Sequence, residues 1–149
     1  MSAFDFKKES PTAFPVLNDK QIAAIAEFAK VKTYPRDSIL FRAGETEFKF
    51  LVIKSGAIRI VDRSSGAAHT ILTHLPGEFT GDLANLTGRS SHVDAIASGE
   101  AEVYEICEAD LRRIINERPD LSGIILNAFT ARAGALSREF HSDSFTAPK

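Results

Sequence analysis

The chain has 149 residues, 44% of them hydrophobic and 26% charged, which is the composition of one globular domain with a substantial core. Its net charge of -2 gives no bulk attraction to nucleic acid or to an anionic membrane surface, and no apolar run is long enough to cross a bilayer. A single cysteine excludes an internal disulfide and a multi-cysteine metal site, and without a secretory signal the sequence predicts a cytoplasmic protein.

The first predicted helix follows a polar N-terminal arm, residues 1–15. Asn18 and Gln21 have the spacing of a capping box, in which each side chain bonds the other residue's backbone N–H. Apolar residues then recur at helical spacing, so the sequence predicts a short amphipathic helix over residues 19–30.

Residues 38–106 are typical of a β-structure, because short runs of β-forming residues alternate with glycine turns. They predict about eight antiparallel strands in a β-roll rather than βαβ units. The run LVIKSGAIRIVDRSSGAAHTIL, residues 51–72, predicts three consecutive antiparallel strands joined by tight glycine turns. The expected fold class is therefore mainly β with flanking helices.

Two further helices are predicted after the strands, a short one that stops at Pro119 and a longer one over residues 120–140. The longer helix has apolar residues at the spacing of a packing seam. These are Leu126, Phe129, Ala133, Leu136 and Phe140. Two interpretations remain open: the seam packs within the chain, or it pairs two protomers. The last residues, 141–149, are polar and predict a flexible tail.

Four motifs stand in one order along the chain: FRAGE at 41–45, IKSGAIRI at 53–60, PGEFTGDL at 76–83 and AEVYEICEADLRRII at 101–115. Together with the order of helices and strands, they resemble a cyclic nucleotide-binding domain of the catabolite activator protein-like superfamily, covering residues 16–140. Two runs, FPVLNDKQIAAIAEFA and PGEFTGDLANLTGR, also resemble the version of this domain that precedes bacterial thioredoxin-reductase-like flavoproteins.

The resemblance implies a phosphate-binding cassette that begins at Gly81. Asp82 takes the place of the family's glutamate, which accepts a hydrogen bond from the ribose. The next backbone N–H groups begin a short helical turn and point at the cyclic phosphate. The family's phosphate-binding arginine stands nine residues after the glutamate, where this chain has Ser91, and Arg89 lies two residues before it. The implied ligand-binding set is Gly81, Asp82, Leu83, Ala84, Arg89, Ser90, Ser91 and His92.

Two positions in the cassette keep two interpretations each. Arg89 either contacts the phosphate or is an exposed turn residue, and Asp82 either holds the ribose or caps the cassette helix. The three histidines on or near the predicted strands do not have the spacing of a metal site or a catalytic triad. His69, His74 and His92 are therefore expected at the surface or at the rim of the pocket.

The function that the resemblance implies is a regulatory, non-enzymatic module that binds cAMP, cGMP or a related anionic small molecule, with no other cofactor. Binding is expected to be weak because the arginine is displaced. The alternative is a binding-deficient scaffold of the same fold, used for homodimerisation through residues 120–140 or for docking to an enzyme domain, including a redox one. A DNA-binding regulator is not expected, because the chain ends nine residues after Phe140.

Overall fold

The computed structural model describes residues 11–44, 50–62, 66–80 and 93–146, and of residues 133–146 it describes the backbone alone. A 3-10 turn at Pro11–Ala13 precedes the helices α1 (Asp19–Ala26), α2 (Glu108–Glu117) and α3 (Pro119–Thr146). The strands in the described ranges are β1 (Lys30–Tyr34), β2 (Ile39–Phe41), β3 (Phe50–Ser55), β4 (Ile58–Asp62), β5 (His69–His74), β6 (Asp94–Ala97) and β7 (Ala101–Ile106).

Helix α1 has the predicted capping box. The Asn18 side chain accepts a hydrogen bond from the backbone N–H of Gln21 at 2.8 Å, and the Gln21 side chain accepts one from Asn18 N–H at 2.9 Å. The helix ends at Ala26, earlier than predicted, and strand β1 begins at Lys30. The sequence did not predict β1, because the strand is short and Val31 is the one aliphatic residue among its first four, all of which are exposed.

The strands form two antiparallel sheets, one with the order β1-β7-β3 and the other with the order β2-β6-β4-β5. This arrangement confirms the predicted antiparallel β-roll with flanking helices. Strands β4 and β5 pair directly, as predicted. Strand β3 instead pairs with β7 in the other sheet, so the prediction of three consecutive paired strands is wrong at its first turn.

Gly56 explains how the chain leaves β3 without forming a hairpin. Its φ is +79°, and a Cβ there would lie 2.4 Å from the carbonyl oxygen of Glu100 and 2.9 Å from Cα of Ala101. Only glycine allows both the left-handed backbone and so close an approach of the turn before β7. The crossing from one sheet to the other therefore depends on this residue.

Two apolar clusters hold the fold together. The roll core lies between the sheets and contains Leu40, Leu51, Ile53, Ile58, Ile60, Ala95, Ala97, Ala101 and Val103. The helix-side core joins the first sheet to the helices and contains Leu17, Ala24, Ile25, Phe50, Val52, Phe79, Ile106, Leu111, Ile114, Leu121, Ile125, Ala128 and Phe129. Because β3 alternates between the clusters, Leu51 and Ile53 face the roll while Phe50 and Val52 face the helices.

Helix α3 is longer than predicted, and the described part of its apolar seam supports the interpretation that the seam packs within the chain. It runs to Thr146, so residues 141–146 of the predicted tail are helical. Phe129, expected to face a partner if the helix pairs protomers, is fully buried within the chain, and that expectation is wrong. Leu126 is half-buried, and the side chains of Leu136 and Phe140 lie outside the described residues. No helix in the described ranges is long and apolar enough to span a membrane.

Candidate functional site

The residues that the sequence predicts as ligand contacts all fall within residues 81–92, outside the part of the chain that the structure describes. They are Gly81, Asp82, Leu83, Ala84, Arg89, Ser90, Ser91 and His92. The short helical turn predicted at 81–87 falls in the same range. What the structure does define is the two points where the chain enters and leaves this segment, and the wall of the roll beside them.

The chain enters the segment from Thr80, which is held on strand β3. Thr80 N–H donates to the Leu51 carbonyl at 2.9 Å, and Leu51 N–H donates to Thr80 Oγ1 at 3.2 Å. The preceding residue, Phe79, forms an isolated antiparallel bridge with Val52. Both Phe79 and Thr80 are buried. The start of the segment is therefore fixed to the three-stranded sheet.

The chain leaves the segment into β6, a central strand of the four-stranded sheet. Asp94 is 5% exposed, and its Oδ1 accepts a hydrogen bond of 2.7 Å from the backbone N–H of Ala43. This bond ties β6 to the turn that follows β2. Residues 81–92 thus connect an anchored residue on one sheet to an anchored residue on the other.

The wall of the roll beside these anchors is apolar. Leu40, Ile60 and Ala95 belong to the roll core, and Leu72 and Val93 pack against it. None of these side chains carries charge, and among the described residues no group of three His, Cys, Asp or Glu side chains is placed to hold a metal ion. Such a wall suits an aromatic or aliphatic part of a ligand and does not itself neutralise an anion.

One polar cluster lies on the roll-facing side of β1 and β7. The Tyr34 hydroxyl donates to Glu105 Oε2 at 3.0 Å, and Lys32 Nζ lies 3.0 Å from Glu105 Oε1. Tyr34 also packs against the roll core. Burial, with the hydrogen bond and the negative charge of Glu105, raises the pKa of Tyr34 from 10.0 to about 12.

Ionisation of Tyr34 is expected to occur near pH 12 and to destabilise the fold. Because its folded pKa is above its unfolded value of 10.0, the contribution of Tyr34 to stability is complete below pH 10 and is lost as the pH rises towards 12. An ultraviolet difference titration of tyrosinate, compared with a Tyr34→Phe variant, measures this step. A Tyr34-dependent transition near pH 10 contradicts the shielding by burial.

His74 is buried, although its sequence context predicts a position at the surface or at the rim of the pocket. It is 3% exposed, and its Nδ1 lies 3.1 Å from Oε1 of Glu78, which is also buried. It pairs across the sheet with Ile58, whose side chain belongs to the roll core. Period-two alternation from Leu72 would have placed His74 on this inward face. The other predicted rim residue within the described strands, His69, is exposed.

A buried arginine that the sequence did not single out links helix α3 to the start of the segment. Arg132 is 4% exposed, and its Nε donates to the carbonyl of Ala13 at 2.6 Å. Its guanidinium carbon lies 4.9 Å from the ring centroid of Phe14 and 4.7 Å from that of Phe79. These contacts join residues that are far apart in sequence, so no local sequence pattern predicts them. They also show that the last residues of the predicted arm are packed.

Comparisons with known proteins bear on this geometry. A family model described as the cyclic nucleotide-binding domain matches residues 31–118, a range that runs from β1 to the end of α2 and includes the whole of 81–92. A search of curated proteins finds no match.

Solved structures share the fold at low sequence identity. A catabolite activator protein from Thermus thermophilus has a TM-score of 0.64 at 18% identity, covering 91% of this chain and 61% of that one. The c-di-GMP responsive global regulator CLP of Xanthomonas campestris has a TM-score of 0.68 at 18% identity, covering 85% and 63%. The N-terminal domain of a transcriptional regulator from Streptomyces coelicolor A3(2) has a TM-score of 0.60 at 20% identity, covering 98% and 99%. The chain thus spans about three fifths of the first two.

Proposed function

The chain belongs to the cyclic nucleotide-binding domain family, and from that premise we propose that it is a regulatory module that senses a cyclic nucleotide or a related anionic small molecule, and not an enzyme. The observation that carries the proposal is the family match itself, which spans both sheets and residues 81–92. The apolar wall of the roll and the anchored ends of that segment support it.

The proposed ligand lies in the roll, with its base against the apolar wall and its phosphate at residues 81–92. Gly81 and Asp82 are the first of the proposed ligand contacts along the chain. The backbone N–H groups of Leu83 and Ala84 are proposed to face the phosphate. A helix start has backbone donors without partners in the helix, which makes it suited to an anion. The remaining proposed contacts are Arg89, Ser90, Ser91 and His92.

Binding is proposed to be weak, in the micromolar range or weaker. Ser91 stands where the family has its phosphate-binding arginine, and the described wall residues supply no charge in its place. A charged hydrogen bond contributes about 1.5–3 kcal/mol, so its loss weakens binding by roughly 10- to 150-fold. Arg89 is proposed to act on the phosphate from the solvent side, which makes affinity sensitive to salt.

We propose that a conformational change in residues 81–92 on ligand binding is transmitted to helix α3 through packing contacts of Phe79. Thr80 follows Phe79, and the Phe79 ring lies 6.2 Å from that of Phe129 and 4.7 Å from the guanidinium carbon of Arg132. Both of these residues are on α3. Because the aromatic rings and the guanidinium are buried and in contact, we expect a shift of Phe79 on ligand binding to displace groups on α3. We propose this helix as the element that reports ligand binding.

Isothermal titration calorimetry of the 149-residue chain with cAMP and with cGMP tests the proposal. Saturable heat is expected for at least one of them, with a dissociation constant in the micromolar range or weaker. Adenosine and 5′-AMP serve as controls for the base and for a non-cyclic phosphate. No heat and no thermal shift at millimolar ligand refutes ligand sensing by cyclic nucleotides.

The second candidate function is a binding-deficient scaffold, which is favoured by the serine at position 91 and by the 28-residue helix α3. In this role the fold dimerises, or docks onto an effector in cis or in trans, such as the flavoprotein that the sequence resemblance implies. Sedimentation velocity separates this role from a stand-alone sensor. A chain that stays monomeric at high concentration and retains no partner in pull-downs argues against the scaffold.

A further inference from the structure

The outer face of the four-stranded sheet carries a cavity of about 320 Å³. Ile39, Val61 and Ile96 form its floor, and Ala68 and Thr70 lie on one side of it. Ile39 is half-buried, and the other two floor residues are buried. The volume lies at the lower end of the ~300–1,000 Å³ of small-molecule sites, so the cavity suits a small ligand rather than a nucleotide.

This cavity is separate from the interior of the roll. On β4, Ile58 and Ile60 belong to the roll core, so Arg59 between them points to the opposite face of the sheet. On β6, Ala95 and Ala97 belong to the same core and Ile96 lies between them. Arg59 and Ile96 are cross-strand partners, and both line the cavity. A ligand in this cavity therefore does not compete for space inside the roll.

Among the residues that the structure describes, the rim of the cavity carries one positive and one negative group, Arg59 and Asp37. Nη2 of Arg59 lies 3.5 Å from Oδ1 of Asp37, which is long for an ion pair, and the two side chains are 33% and 71% exposed. An exposed ion pair of this kind contributes little to stability, so a ligand separates the two groups at small cost. The backbone of Asp37 is held in place, because its N–H donates to the Ala97 carbonyl at 2.8 Å.

The combination of an apolar floor and a rim with both charges points to one chemical class. We propose that the outer cavity binds a small zwitterion with a branched aliphatic side chain, a free α-amino acid of the leucine or isoleucine type. Its carboxylate pairs with the Arg59 guanidinium, which presents several parallel donors. Its ammonium group pairs with Asp37, and its side chain covers Ile39 and Ile96. A simple anion would satisfy only half of this rim.

An NMR titration of the 15N-labelled full chain with L-leucine tests the assignment. Saturable shifts are expected at the amides of Ile39, Arg59, Thr70 and Ile96. Each single-charge analogue, 4-methylpentanoate or isopentylamine, lacks one charged contact and is expected to bind ~10-fold or more weakly than leucine. Glycine, without a side chain to cover the floor, is also expected to bind more weakly.

Variants of the two rim residues separate this site from non-specific binding. Arg59→Gln and Asp37→Asn are each expected to weaken leucine binding by ~10-fold or more, while Arg59→Lys, which keeps the charge, loses less. The dispersion of each variant's spectrum establishes that it is folded. Failure of leucine to saturate, equal binding of 4-methylpentanoate, or an unchanged affinity in Arg59→Gln overturns the proposal. Shifts of the same amides by cAMP, with none by leucine, also overturn it, because they assign the cavity to an anion.

Discussion

Replacing Phe129 with alanine is expected to lower the free energy of unfolding by about 3–5 kcal/mol. The side chain is fully buried on α3, and its ring centroid lies 5.9 Å from that of Phe50 and 6.2 Å from that of Phe79. The truncation removes buried apolar surface and leaves a cavity between the helix and strand β3, both of which are fixed by other contacts. A loss of this size is a large part of the ~5–15 kcal/mol that stabilises a typical domain.

Urea denaturation followed by circular dichroism measures the effect of Phe129→Ala. The matched control is Thr130→Ala, since Thr130 is the next residue on the same helix and is exposed. The control is expected to change stability by no more than ~0.5 kcal/mol. If the two variants differ by less than ~1 kcal/mol, the packing of α3 against β3 is not as described.

The same burial changes what an acidic residue at this position is expected to do. If the apolar seam pairs protomers, the sequence alone predicts that a Phe129→Asp variant is a folded monomer, because the charge would interrupt the interface. In the structure, the aspartate would be placed between the rings of Phe50 and Phe79 within one chain. Burying a carboxylate in an apolar core is costly, so loss of folding, not dissociation, is now expected.

Local patterns were sufficient to predict the elements whose cause is local. The capping box at Asn18 and Gln21 and the hairpin of β4 and β5 follow from spacing and from turn residues, and both are present. Strand β1 was missed because Lys30 and Lys32 lie at a sheet edge, where charged side chains remain exposed and blur the alternation. Its place in the sheet is decided by pairing with β7, a contact distant in sequence.

Long-range contacts account for what else the sequence did not reveal. The residues around Gly56 are compatible with a hairpin turn and with a crossing between the two sheets. The close approach of Gly56 to the backbone of Glu100, which is distant in sequence, fits the crossing. Arg132 and Ala13 meet through a contact that no window of sequence contains. For the candidate site, the sequence predicted residues within 81–92, and these stay predictions because they lie outside the described residues.

Introducing arginine at position 91 is expected to strengthen cyclic nucleotide binding by roughly 10- to 150-fold, the equivalent of one charged hydrogen bond of about 1.5–3 kcal/mol. Ser91 occupies the position of the family's arginine in an alignment without gaps between Gly81 and Val93. The described ends of that stretch are fixed at Thr80 and Asp94. The gain tests whether the rest of the pocket is intact and lacks only its cation.

Calorimetry of Ser91→Arg with the tighter of cAMP and cGMP measures this gain. Ser90→Arg is the matched control, because it adds the same charge one residue away. A specific contact strengthens binding in Ser91→Arg alone and persists at high salt, whereas a general attraction appears in both variants and is screened.

The Arg89→Ala variant tests the displaced arginine. Its cyclic nucleotide binding is weaker than that of the native chain only if Arg89 has taken over the contact with the phosphate. Nanomolar binding by the native chain that is unaffected by Arg89→Ala shows instead that the gapless alignment is wrong, and that a cationic group other than Arg89 neutralises the phosphate.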